Sequence, residues 1–231
     1  MKIDFHAHIL PEADHGSASV KESLEQLALL KASGVTHVVA TPHFYPHHSH
    51  LRAFIERRDR SAAALATVLP PDAPTVYVGA EVTLCRGLER MEGVEQLAIR
   101  GTNVILIEMP AHAWDRGLYE TLAALRDECG LHPVLAHLNR YPVRQGKTLI
   151  PYHFDIQLNA DGVARLFHGP SRLCLHQGNV VALGTDLHGT SRKAIRDFLK
   201  AEEKLGHRLS AIYEATASLL EGAIPLHKEN L

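Results

Sequence analysis

The stretch "KIDFHAH", residues 2–8, alternates polar and apolar side chains and ends on two histidines one residue apart. Alternation at period two predicts a strand, so His6 and His8 share one face and can grip a single ion. The pair alone leaves a structural role open. Its meaning depends on whether other strands end in the same way.

They do. A short apolar run, a polar residue at its end and a helical pattern recur along the chain. After "KIDFHAH" comes "SVKESLEQLALLKASG", where Ser19 and Glu22 stand in capping-box spacing and Gly34 is the stop signal. Val20, Leu24, Leu27 and Leu30 give this helix an apolar stripe. "VTHVVATPH" predicts a second strand and residues 49–68 a second helix. "TVYVGAE" and "NVILIEMP" predict the third and fourth strands. The helix "RGLYETLAALRDECG" leads to a fifth strand, "HPVLAH". "FDIQLNA" is the sixth and "NVVALGTDLH" the seventh, with helical patterns at 191–205 and 209–221. Seven strand-plus-helix units with Val/Ile/Leu-rich strands predict an α/β fold, a parallel sheet covered by helices. Periodicity leaves open whether that sheet closes into a barrel. No linker divides the chain: "LPPDAP" at 69–74 is one connecting loop, and a single domain over 1–231 is expected.

The bulk composition narrows the function classes. The 231 residues are 45% hydrophobic and 22% charged, with formal net charge -2. Near neutrality speaks against a nucleic-acid or membrane-surface binder. No apolar run approaches the roughly 20 residues of a membrane span, and the N-terminus lacks the pattern of a signal peptide. Cys85, Cys129 and Cys174 are widely spaced and odd in number, which predicts a reduced, cytoplasmic setting. The anomaly is 17 histidines.

The strands end on His6 and His8, His43, Glu81, Glu108, His137, and Asp186 with His188. In a parallel β/α barrel these ends point into one mouth. Nitrogen and oxygen donors without thiolate suit zinc, manganese or iron. Eight candidates exceed the needs of one ion, so two or three divalent metals bridged by a carboxylate are expected. Burying this many charges without cations costs several kcal/mol for each uncompensated one. In the histidine-rich "HFYPHHSH", residues 43–50, Pro46 separates His43 from His47, His48 and His50. His43 is the expected ligand and the other three rim residues.

The same segments carry a resemblance. "DFHAHILPEADHGS", "ATPHFYP", "GAEV", "ILIEMP", "AHLNRYP", "IQLNADG" and "GTDLHG" resemble, in order and rough spacing, the bacterial manganese-dependent protein-tyrosine phosphatases of the PHP (polymerase and histidinol phosphatase) superfamily. The resemblance covers residues 2 to about 190. It implies a distorted (β/α)7 barrel of the PHP type, with a trinuclear metal site at the C-terminal ends of the strands. It implies His6, His8, Asp14, His43, Glu81, Glu108, His137, Asp186 and His188 as metal ligands. Asp14 enters through the resemblance alone. Arg140 resembles the arginine that holds the phosphoryl group, and Arg192 is the candidate for a second. Manganese is the implied metal, with iron or zinc compatible. The implied partner is a tyrosine-phosphorylated protein, a bacterial tyrosine kinase of capsule or exopolysaccharide synthesis.

The chain departs from the family pattern at Asp14-His15-Gly16, Leu138, Asn139 and "TDLHG" (185–189). The expected chemistry is phosphate monoester hydrolysis by a metal-activated hydroxide, with Glu81 bridging and Arg140 on the phosphoryl oxygens. His15, His47 or His48 is a candidate proton donor. A cysteine-based phosphatase is excluded because no Arg lies six residues after Cys85, Cys129 or Cys174: Met91, Leu135 and Val180 stand there. A histidinol-phosphate-type small-molecule phosphatase, an amidohydrolase-like hydrolase and a non-catalytic metal-binding module are the rival expectations.

Overall fold

The chain folds into parallel strands flanked by helices, in a computed structural model that describes residues 1–165 and 169–227. β1 is Ile3–Ala7. The expected second strand is broken into β2 (His37–Ala40) and β3 (His43–Phe44). Pro42 lies at the break, and its missing N–H cannot join a ladder. The third is likewise broken at Gly79 and Ala80, giving β4 (Thr75–Val78) and β5 (Glu81–Thr83). β6 (Val104–Glu108), β7 (His132–Leu135), β8 (Asp155–Asn159) and β9 (Asn179–Gly184) follow the predicted segments.

Every ladder between named strands is parallel. The ladders make two sheets: a three-stranded one in the order β1-β2-β4, and a six-stranded one in the order β3-β5-β6-β7-β8-β9. The broken strands carry the chain from the first sheet into the second. At the other side the segment after β9 returns to β1. The Asp186 N–H donates to the His6 carbonyl at 2.7 Å, and the His8 N–H to the Leu187 carbonyl at 3.0 Å. Ala7 and Leu187 form a parallel bridge there. The C-terminal strand ends therefore face one edge, where the ionisable residues lie.

α1 (Val20–Ala32) starts as expected: the Ser19 side chain accepts from the Glu22 N–H at 3.2 Å. The Glu22 carboxylate reaches back to the Ala18 N–H at 2.6 Å. Leu27 and Leu30 carry the buried part of its stripe, while Val20 and Leu24 are half-buried. α2 (Leu51–Ala66) and α3 (Arg116–Asp127) fill the predicted helical segments. The regular strand-helix alternation fails between β5 and β6. Gly87 and Gly93, both at positive φ, leave runs too short for an α-helix, and the segment forms single 3-10 turns instead. Conversely, α4 (Val143–Leu149), α5 (Ala160–Ala164) and α6 (Gly169–Gln177) are too short to show a helical period in the sequence. α7 (Arg192–Leu205) and α8 (Arg208–Leu219) close the described chain.

The main core includes Ile9, Phe44, Phe54, Leu65, Ile107 and Phe198. A smaller cluster includes Ile3, Phe5, Leu106, Val134 and Val181, with Tyr213 of α8 packed on it. Cys85, Cys129 and Cys174 are free thiols. Among the described residues no helix is long and apolar enough to cross a membrane. The domain expected over 1–231 includes 166–168 and 228–231, which lie outside the described residues.

Candidate metal centre

The strand ends bring together most of the residues singled out by the sequence. His6, His8 and Glu81 are wholly buried, at 0% exposure. The His6 Nε2 and His8 Nε2 atoms face each other at 3.1 Å. Around them, Glu81 Oε2 lies 3.2 Å from His6 Nε2 and 3.3 Å from His8 Nε2, and Asp186 Oδ1 lies 3.1 Å from His8 Nε2. His43 Nδ1 stands 2.9 Å from the same Glu81 oxygen. His137 Nε2 takes the other one, Oε1, at 2.7 Å, and is 3.7 Å from Glu108 Oε1. Glu81 is thus the central carboxylate, as expected of a bridging group. Three overlapping donor groups result: His6, His8, Glu81 and Asp186; His43, Glu81 and Glu108; and His8, His43 and His188.

Several of these atoms have no conventional partner. Glu81 Oε2, Asp186 Oδ1, His43 Nδ1, His137 Nδ1 and His188 Nε2 are buried without a hydrogen bond among the described residues. Buried polar atoms left this way are expensive. Lone pairs from several side chains converging on shared points are what a divalent cation satisfies. The donor set holds no thiolate and fits manganese, iron or zinc. The residues present fit the metal that the sequence implies.

Further contacts fix the orientation of these side chains. Asp14, expected as a ligand, accepts from His8 Nδ1 at 2.7 Å and from the His43 N–H at 2.9 Å. Gln157 Oε1 accepts from the His137 N–H at 2.8 Å and lies 3.2 Å from His6 Nδ1. The Nδ1 contacts, Asp14 to His8 and Gln157 to His6, turn Nε2 of each histidine towards the cluster, the usual carboxylate or carbonyl support of a metal-ligating imidazole. Thr83 Oγ1 donates to Glu108 Oε2 at 2.9 Å. Buried Asp4 accepts from Thr185 N at 2.8 Å and from Thr185 Oγ1 at 2.6 Å, which ties β1 to the segment after β9. His137 and Asp186 both hold positive φ, at 34° and 52°. Non-glycine residues in that region are uncommon and gather at functional sites.

The charges support one another. Burial favours neutral His8, but its bond to Asp14 and the Asp186 and Glu81 carboxylates beside it hold its proton well above the ordinary histidine range. Burial also opposes ionised Glu81, yet the His6 charge and the imidazoles of His137 and His43 beside it keep its carboxyl well below the usual range. Asp186 is lowered as well: burial is outweighed by His6, His8 and Arg140. His188 is lowered to about 4, by burial first and then by the neighbouring His8.

Arg140 sits in a 3-10 turn, Leu138–Arg140, immediately after His137. Its guanidinium pairs with Asp186 Oδ2 and its side chain remains 43% exposed. Asn139, one of the departures from the family pattern, anchors this turn. Its amide donates to the Asn159 carbonyl at 3.0 Å and accepts from the Asn159 N–H at 2.8 Å. A carboxylate there could accept but not donate. His15, another departure, stacks on His43 at 4.9 Å between ring centres and on His188 at 4.7 Å. Arg192 is exposed at the start of α7, and among the described residues no hydrogen bond, ion pair or ring contact links it to the cluster. His47, His48 and His50 lie outside the donor groups, as the break at Pro46 implied. Sequence reasoning missed Asp4, Thr83 and Gln157. Asp4 was visible in principle, since it lies two residues before His6 on the same strand face. The other two are ordinary strand residues without a distinguishing pattern.

Comparison with known proteins gives a consistent picture. The family described as "Capsular polysaccharide synthesis, CpsB/CapC" matches residues 2–216. The tyrosine-protein phosphatase CpsB of Streptococcus pneumoniae is 30% identical over 146 residues, covering 60% of this chain and 57% of that protein. CapC of Staphylococcus aureus is 29% identical over 146 residues, covering 60% of this chain and 54% of that protein. The chain spans about half the length of the curated relatives it matches. Among solved structures, one from the crystal structures of YwqE from Bacillus subtilis and CpsB from Streptococcus pneumoniae, described as metal-dependent tyrosine phosphatases, has the same fold. It superposes with a TM-score of 0.77 at 24% identity, over 96% of this chain and 95% of that one.

Proposed function

Because this chain belongs to the CpsB/CapC family of capsular polysaccharide synthesis, we propose that it is a metal-dependent phosphoric monoester hydrolase acting on phosphotyrosine in proteins. The observation that carries the proposal is Arg140. A half-exposed guanidinium stands against Asp186, at the edge of a cluster rich in unsatisfied metal-ligating atoms. A metal site needs no arginine beside it; a phosphoryl group does, because a guanidinium binds two of its oxygens at once.

His6, His8, Asp14, His43, Glu81, Glu108, His137, Asp186 and His188 would hold two or three divalent ions, manganese first. Bound ions would supply a more acidic water and neutralise phosphoryl charge. Arg140 binds and orients the phosphoryl oxygens and stabilises the charge that builds on them during transfer. Among the described residues Arg192 has no contact that supports the same role. A tyrosine phenolate, with pKa about 10, leaves more readily than an alkoxide and demands less of a proton donor.

The same reading joins the two sheets into one distorted (β/α)7 barrel in a single domain over 1–231. The Ala7–Leu187 bridge and the broken strands, which run from sheet to sheet, support it. The substrate would be a tyrosine-phosphorylated protein of capsule or exopolysaccharide synthesis, a bacterial tyrosine kinase, in the cytoplasm. The family's description supports the capsule setting.

Phosphate release by manganese-loaded protein from a phosphotyrosine peptide and from histidinol phosphate tests the proposal. The peptide is expected to be the better substrate, and Arg140→Ala to lower its turnover about 10²- to 10³-fold, the size of losing one preorganised charge donor. Preference for histidinol phosphate would reassign the site to a metabolic phosphatase. No turnover of either would leave the metal centre without this chemistry.

A further inference from the structure

Next to the cluster lies a groove of about 490 Å³ that the chemistry above leaves unused. Leu84, Pro110, Ala111 and Leu118 line it with apolar atoms. We propose that this groove takes an apolar side chain of the polypeptide flanking the phosphorylated tyrosine, so that the enzyme reads a short peptide segment and not the phosphotyrosine alone. The inference rests on the phosphotyrosine hydrolase reading and narrows it.

Three observations lead to this occupant. The groove adjoins the cluster. Thr83 lines it, and the Thr83 hydroxyl donates to Glu108 Oε2 at 2.9 Å. Pro110 and Ala111 follow Glu108 by two and three residues. On the other side, the run that begins at His43 passes Tyr45, whose ring stacks on His43 at 5.1 Å and is 38% exposed, and reaches the groove at His47. An extended peptide advances about 3.3–3.6 Å per residue, so a side chain one to three positions from the phosphotyrosine falls within reach.

The lining also selects for chemistry. Arg86 and Asp115, both at the groove, pair with each other, and the imidazoles of His47 and His112 stand at it too. An apolar side chain gains by leaving water against Leu84, Pro110, Ala111 and Leu118.

Finally, the wall is held in place before any ligand arrives. The Trp114 indole N–H donates to the Pro110 carbonyl at 2.9 Å, and its ring meets Tyr141 edge-on at 5.0 Å. The Tyr141 hydroxyl in turn donates to the Met109 carbonyl. A braced wall lowers the ordering cost of binding. A small phosphate monoester would make no use of it.

The test is kcat/KM for phosphate release from phosphotyrosine peptides carrying a single Leu at positions -3 to +3 in a Gly/Ser background. The all-Gly/Ser peptide and p-nitrophenyl phosphate serve as comparisons, for the manganese-loaded parent and Ala111→Trp. At one or two positions Leu is expected to raise kcat/KM about tenfold or more, mainly through KM. Ala111→Trp is expected to abolish that preference with p-nitrophenyl phosphate turnover unchanged. Equal turnover of all peptides by the parent, or a preference that survives Ala111→Trp, would overturn the groove. Failure of the parent to hydrolyse p-nitrophenyl phosphate or any peptide would overturn the phosphatase reading itself, and the groove's role with it. The peptide series uses the unaltered protein, so it decides even if the variant folds poorly.

Discussion

Gln157 touches two of the proposed ligands at once, accepting from the His137 backbone and facing His6 Nδ1. Gln157→Leu keeps volume but removes both contacts, so manganese affinity is expected to fall about 10- to 100-fold while the fold persists. Competition with a fluorescent chelator reads this directly; an unchanged affinity would leave Gln157 a purely structural amide. His8 makes a second, pH-dependent prediction. Its proton is held well above the ordinary range in the metal-free protein, by Asp14, Asp186 and Glu81 against burial. A ligand nitrogen must give up its proton, so metal affinity rises with pH and falls on acidification. Between pH 8 and pH 6 apparent affinity should weaken about tenfold per pH unit for each proton displaced. A pH-independent titration over that range would contradict the arrangement. At this scale the ligands were legible because each ends an apolar run, whereas Gln157 and Thr83 were not. Their identity as supports depends on which side chain folding sets opposite them.

The join between β1 and β9 decides whether the first donor group assembles. A Cβ on Gly184 would meet His6 Cβ at 2.6 Å and Gln157 Nε2 at 2.7 Å, and one on Gly16 would meet His8 Cβ at 2.1 Å. The two histidine Cβ atoms are fixed to their backbones and cannot swing away; only Gln157 Nε2 is the end of a side chain. Gly184→Ala must therefore push β1 away from β9, and the account predicts lost metal binding together with a lowered midpoint in urea unfolding. Wild-type affinity in Gly184→Ala would show that β1 has room to move, against the packing described. The long elements were readable in advance, since seven apolar runs and the capped α1 carry strong periodic signals. The breaks within the second and third strands were not, because Pro42 and Gly79 lie inside continuous apolar patterns and only the ladder shows that pairing changes sheets there. The short helices α4, α5 and α6 were missed because their few turns give no period to detect.

For the molecule as a whole, the formal charge of -2 hides a strong local concentration of imidazoles and carboxylates at one edge of the strands. That convergence follows from parallel topology: Glu108 ends β6, His137 and Asp186 follow β7 and β9, and His43 and Glu81 open β3 and β5 where the second and third strands break, all on strands running the same way. The sequence showed the residues and their positions near strand ends; which donor atoms lie together, and that Asp14 pairs with His8, appeared only once distances were known. Cations that bind the folded chain alone also stabilise it, so the account links metal loading to activity in one system. The direct measurement is phosphate release from a phosphotyrosine peptide by metal-stripped protein titrated with manganese. The account predicts negligible release at the start, a rise with added metal and a plateau at two to three ions per chain. Full activity in the stripped protein, or none at saturating manganese with the protein still folded, would contradict it.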